Sequence, residues 1–183
     1  MHILMCNDDG ILADGLRHLA SYLSQYYRIT VVAPANEQSA KSHALTTEVP
    51  LKLDAYNGED ENPRLYALTG TPSDCMKFGL SYLLTDDMPD LVISGINHGF
   101  NLGSDVLYSG TVSAAMESCF YGIPGLALSV ERYSVERGNE IHPFIHELIE
   151  KIYVAGQFSG LLNVNFPLRG ACDWDHFKIV SQG

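Results

Sequence analysis

Positive charge is scarce in this chain. Eleven Lys and Arg stand against 22 Asp and Glu in 183 residues, a formal net charge of −11. No basic cluster is present, which argues against a nucleic-acid backbone as partner. An anionic small substrate would need local help from a metal ion or from helix N-termini. Long hydrophobic runs are also missing: no apolar stretch approaches the ~18 residues of a membrane span. The four cysteines, Cys6, Cys75, Cys119 and Cys172, have no C-x-x-C spacing. Three of them fall on apolar stripes and read as buried thiols in a reducing compartment. No secretory leader is read, because Met1-His2 leads straight into the first strand, and the expected location is cytoplasmic. The seven histidines are expected to hold no zinc. The G-x-S-x-G nucleophile elbow and the G-x-G-x-x-G dinucleotide fingerprint are absent.

What is present is an ordinary globular composition, 46% hydrophobic and 18% charged. The length fits one domain and buries roughly 70% of the unfolded surface. Strands and helices alternate. Ile3–Cys6 and Ile29–Ala33 read as buried strands, separated by a helical stripe of Leu16, Leu19, Ala20, Leu23 and Tyr27. A polar loop follows from Ala35 to Thr47. Val49–Leu53 reads as an edge strand, Asn57–Pro63 as a charged loop tip and Leu65–Leu68 as a short strand. Cys75, Phe78, Gly79, Tyr82 and Leu83 predict a helix, and Leu91–Ser94 another buried strand. The segment Gly95–Gly110 has no periodicity. Val112, Ala115, Met116, Cys119 and Phe120 predict the next helix, followed by a strand at Leu126–Val130. The last helix carries Ile141, Phe144, Ile145, Leu148, Ile149 and Ile152. Leu161–Val164 and Phe177–Val180 are the final predicted strands. This alternation implies an α/β fold, a parallel sheet wrapped by helices. The chain stops at Gly183 directly after a predicted strand, from which we expect missing C-terminal sequence.

Chemistry concentrates at the ends of the predicted strands. Asn7-Asp8-Asp9-Gly10 closes the first. Adjacent carboxylates repel unless a cation sits between them, and this end of a parallel strand is where ligands bind. The alternative is a plain Asp-rich turn. Ser94-Gly95-Ile96-Asn97 closes a second strand, and the Asn97 amide oxygen is a hard ligand suited to magnesium, manganese or calcium. Alone, that asparagine reads as a turn cap. Thr71, Pro72 and Asp74 form a helix start with a capping box. Tyr108-Ser109-Gly110-Thr111-Val112 opens another helix, where free N–H groups can hold an anion. A cation site beside an oxyanion pocket is the equipment of phosphoryl transfer to water. His43 and His98 lie in loops nearby, as bystanders or proton donors.

These motifs, with Ser39, Gly70-Thr71-Pro72, Asp74-Cys75, Gly99, Asn101, Gly103 and Met116-Glu117, resemble the survival protein E (SurE) family of metal-dependent 5′-nucleotidases. The match is in order from Met1 to about Val130, with a weaker echo to Gly183. The resemblance implies a Rossmann-like three-layer α/β/α sandwich with a mostly parallel sheet, a single domain over 1–183. It implies one divalent metal ion, Mg or Mn, held by Asp8, Asp9, Ser39 and Asn97, and a phosphate held by Ser109, Gly110 and Thr111. The implied catalytic pair is Asp8 and Asp9, hydrolysing a nucleoside monophosphate by attack of an activated water on phosphorus. Ser39 is selected by the resemblance alone. Ala40 departs from the glycine usual beside that serine. His98 occupies a usually small position and inherits no role. Family members usually continue past this point into an arm exchanged between subunits. The resemblance thus implies a homodimer or homotetramer, with the usual C-terminal extension expected to be missing from this sequence. Two other readings compete. A receiver-type module would need an acceptor Asp and a Lys at strand ends that here carry Ser94–Asn97 and Ser129–Glu131. A nucleoside hydrolase would also use an N-terminal acidic cluster, but would release a free base.

Overall fold

The computed structural model describes residues 1–58 and 60–181. Glu59, inside the predicted loop tip, and Gln182 and Gly183, at the predicted chain end, lie outside the described residues. Seven strands form one sheet: β1 (His2–Cys6), β2 (Arg28–Pro34), β3 (Leu53–Ala55), β4 (Arg64–Leu68), β5 (Leu91–His98), β6 (Gly125–Val130) and β7 (Leu161–Phe166). The order is β3-β4-β2-β1-β5-β6-β7. All pairings are parallel except β3 with β4. The strand order reverses at β1, which lies between β2 and β5. That switch point opens a crevice at the carboxyl ends of β1 and β5.

The helices cover both faces. Alternation along β1 explains why: Ile3 and Met5 pack on one side with Leu16, Leu19 and Ile145, and Leu4 and Cys6 on the other with Cys75, Met76 and Ala114. The first side carries α1 (Asp14–Leu23) and α4 (Val135–Leu148), the second α2 (Pro72–Phe78) and α3 (Gly110–Cys119). The three-layer expectation holds. β5 contains Gly95 at φ +131, where a Cβ would lie 2.3 Å from the Leu128 carbonyl oxygen. Only glycine lets β6 approach there. The β5–β6 register shifts between Ser94 and Asn97, and pairing resumes at Asn97. The strand therefore extends past its predicted end at Ser94 to His98.

Other expectations need correction. The edge strand is Leu53–Ala55 rather than Val49–Leu53. Val49 is exposed and Pro50 has no N–H for a ladder. Phe177–Val180 is no strand, and Ile179 and Val180 are exposed. Tyr82, expected on a buried stripe, is exposed. Helix α2 widens into a π-helical turn at Gly79–Leu83, which breaks the 3.6-residue period. α4 widens likewise at Ile149–Ala155. On α3 the outward face holds Cys119 and Phe120, while Glu117 and Ser118 point inward. Cys6 and Cys75 are buried thiols as expected, but Cys119 is exposed and Cys172 half-buried.

Candidate active site

The carboxylates sit where β1 ends. Asn7, fully buried, shapes the turn: its amide donates to the Gly10 carbonyl at 3.0 Å and its Oδ1 accepts from the Gly10 N–H at 3.1 Å. Gly10 takes φ +99, a conformation an L side chain rarely adopts. The turn holds Asp8 buried beneath the start of α3. The Thr111 hydroxyl donates to Asp8 Oδ1 at 2.5 Å. A Cβ on Gly110 would lie 2.9 Å from the Asp8 Cβ and 3.2 Å from the Pro72 Cγ, so glycine alone allows this approach. The β1 carboxylate and the first turn of α3 are thus in direct contact.

The electrostatics of this corner call for a cation. Burial raises the Asp8 pKa against the lowering bond from Thr111. Asp9 is pushed up to about 6, first by burial, then by the Asp8 charge. Glu37 raises both further, while a main-chain hydrogen bond from His98 opposes the shift at Asp9. The donors assembled here are oxygens: two carboxylates, with the Asn97 amide at the neighbouring strand end. That chemistry fits a hard divalent cation such as Mg or Mn. Among the described residues no group of three or more His, Cys, Asp or Glu could hold a metal ion. His142 and His146 stand four residues apart on α4, a spacing that can serve zinc. They lie away from the site, packed against Tyr22 and Tyr26.

The other expected residues fall around this centre with different degrees of engagement. Asn97 lies near the end of β5 and spends its Nδ2 on the Gly99 carbonyl at 2.9 Å. Its side-chain amine is therefore committed to the glycine loop, consistent with the amide oxygen serving as the donor. Ser39 lies in the loop after β2 and is exposed, its hydroxyl donating to Glu37 at 2.7 Å. That loop reaches the site through the Gln38 N–H, which donates to the Asp8 carbonyl at 2.8 Å. Ala40 takes φ +57, which explains why glycine suits the position. Ser109 is the N-cap of α3, accepting from the Val112 N–H at 3.1 Å. The Gly110 and Thr111 amides belong to a first turn, whose N–H groups a helix leaves without internal partners. The capping box at Thr71 and Asp74 is present, and Asp74 also accepts from Thr46 at 2.6 and 3.0 Å.

Sequence reasoning missed Glu37 and the contacts made by His98 and Asn101. Glu37 reaches both aspartates electrostatically, but one acidic residue in a polar loop gives no signal. His98 comes to Asp9 only because β5 extends. Asn101 is buried, bonded to Ser129 Oγ at 2.8 Å and to the Asn163 and Asn165 side chains. It anchors the glycine-rich loop to β6 and β7, a role that its place among the sequence motifs did not disclose.

Fold and site together define an α/β protein with paired carboxylates and an anion-ready helix start at one sheet edge. A family model described as Survival protein SurE matches residues 3–183. The chain belongs to that family. It is 49% identical over 168 residues to "5′-nucleotidase SurE" of Thermoanaerobacter sp. (strain X514), covering 91% of this chain and 66% of that one. It is 38% identical over 184 residues to the protein of that name from Alkaliphilus metalliredigens, covering 100% of this chain and 72% of the relative. The crystal structure of SurE protein from Aquifex aeolicus superposes with a TM-score of 0.78 at 38% identity, over 91% of this chain and 66% of that one. The chain thus spans 66% of the length of both the Thermoanaerobacter relative and the Aquifex structure.

Proposed function

We propose that this protein is a metal-dependent phosphoric monoester hydrolase acting on nucleoside 5′-monophosphates. The observation that carries the reading is the contact of Asp8 with Gly110 and Thr111, which sets a carboxylate pair against a helix N-terminus. The relatives' printed names support the substrate class. Asp8, Asp9, Ser39 and Asn97 would hold one divalent cation, Mg or Mn. Such a cation supplies charge for the phosphoryl oxygens and acidity for a bound water.

The chain's own residues do the rest. The first-turn amides of Ser109, Gly110 and Thr111 bind the phosphate oxygens, and the α3 dipole favours their charge. Thr111 fixes the Asp8 carboxylate through its hydroxyl. Asp9, without that hydroxyl anchor, is the carboxylate that orients the attacking water and takes its proton. The P–O5′ bond breaks, the departing nucleoside oxygen takes a proton from solvent, and phosphate remains on the α3 amides until release. We place the active molecule in the cytoplasm, as a homodimer or homotetramer. No helix among the described residues is long and apolar enough to cross a membrane.

The test is product analysis on a nucleoside 5′-monophosphate with Mg or Mn. Free phosphate and intact nucleoside are expected, and a chelator should stop their release. Free base with an intact sugar phosphate would replace this reading by glycosidic hydrolysis.

A further inference from the structure

The loop after β2 crosses the site without regular structure, yet it is fastened along its length. The Ser42 N–H donates to the Tyr108 carbonyl at 3.2 Å and the Ser42 hydroxyl to the Leu107 carbonyl at 2.8 Å. The Thr71 hydroxyl donates to the Ala44 carbonyl at 2.7 Å. Thr46 is held by Asp74. Ala40 and Ser42 both take positive φ, at 57° and 52°, conformations that an L residue keeps only when its surroundings enforce them.

One further contact joins this loop to α3 itself. His43 Nε2 donates to Glu117 Oε2 at 2.6 Å. Glu117 is an unusual residue to find facing inward on α3: its side chain is 6% exposed. Lys77, a cationic neighbour, lies at 3.8 Å and is itself exposed. Phe120 tilts over the His43 ring at 6.0 Å between centroids. A short charge-assisted bond to a buried carboxylate, like that of Thr46 to Asp74, is stronger and more directional than the loop's bonds to main-chain carbonyls. Glu117 stands nearly two turns below the Ser109–Thr111 cradle on the same helix, and His43 stands four residues beyond Ser39.

We propose that His43 and Glu117 are positioning residues, a latch that fixes the Ser39 loop against the phosphate-cradling helix. The pair touches neither substrate nor cation. It acts by keeping the metal-side loop and the phosphate-side helix in one mutual geometry while Ala40 and Ser42 stay in left-handed conformations. The inference rests on the metal and phosphate assignments made above.

The experiment compares His43→Ala, His43→Gln and Glu117→Leu with the wild type by three readouts. The first is amide exchange in the metal-free protein. In His43→Ala the amides of Gln38, Ser42 and Thr46 should exchange at least about tenfold faster, with β1 protection unchanged. The second is Mn affinity by calorimetry, expected to weaken about fivefold or more. The third is turnover, which should fall at subsaturating Mn and recover substantially at saturating Mn. His43→Gln, whose amide can still donate to Glu117, should restore most of each. If β1 protection falls in His43→Ala, Glu117→Leu, which removes the acceptor, decides by the same criteria. Unchanged loop exchange in a folded variant overturns the latch. Faster loop exchange with unaltered Mn affinity overturns its positioning role and removes Ser39 from the ligand set. A wild type that binds no Mn refutes the metal assignment, and the exchange arm still decides whether the latch exists.

Discussion

At the scale of single residues, the site depends on how closely Asp8 and Gly110 approach. Gly110→Ala places a methyl group 2.9 Å from the Asp8 Cβ. Either Asp8 or the α3 N-terminus must then shift by a fraction of an ångström. A shift that small costs little stability, on the order of 1–2 kcal/mol, but misaligns carboxylate and cradle. We expect kcat/KM to fall about a hundredfold while the melting temperature drops only modestly, measured by steady-state kinetics and calorimetry. Near wild-type kinetics in this variant would separate Asp8 from the phosphate cradle. Asp8→Asn and Asp9→Asn test the cation side. Each should lose at least about a hundredfold in activity and the thermal stabilisation that Mn gives the wild type. A folded variant that keeps both would remove that carboxylate from the ligand set.

At the scale of elements, α1 and α4 are sealed by a histidine–tyrosine cluster. His142 is buried against Tyr22, and its Nε2 has no hydrogen-bond partner among the described residues. Burial, reinforced by the charge of His18, pushes its pKa down to about 4. The unfolded chain takes up that proton near pH 6.5, so between about 6.5 and 4 it binds more protons than the folded one. The contribution of this group to stability is full above pH 6.5 and declines as pH falls towards 4, with a slope of at most ~1.4 kcal/mol per pH unit. The difference in melting temperature between His142→Phe and wild type should therefore shift in favour of the variant as pH drops from 7 to 4. A pH-independent difference would mean that His142 keeps its ordinary pKa in the fold.

At the scale of the whole molecule, the net charge of −11 opposes the substrate proposed for it. Anionic phosphate must enter against a repulsive field, and salt screens that field over a Debye length of about 10 Å at 0.1 M. We expect kcat/KM for a nucleoside monophosphate to rise between about 10 and 150 mM monovalent salt. Initial-rate measurements at fixed free Mn would show it. A steep fall with salt would instead reveal a locally positive entrance.

Much of the fold was legible because its elements are local. Buried β1, β2, β5 and β6 appear as short apolar runs, and the α1 stripe of Leu16, Leu19, Ala20 and Leu23 keeps a clean helical period. Asp8-Asp9, Asn97 and Ser109–Thr111 were legible because strand ends and helix starts are marked by turn residues and caps. Other features depend on partners distant in sequence. The π-helical widening that turns Tyr82 outward depends on packing rather than on local pattern. So does the inward Glu117, which a stripe count reads as a solvent residue until His43 meets it. The sequence by itself determined the alternation of elements and the kind of chemistry at their ends, because periodicity and capping act within a few residues. Only the tertiary structure decided that Asp8 touches Gly110, that His98 reaches Asp9 and that the Ser39 loop is tied to α3. Each of those contacts joins segments dozens of residues apart, and their geometry is set by how the sheet and helices pack.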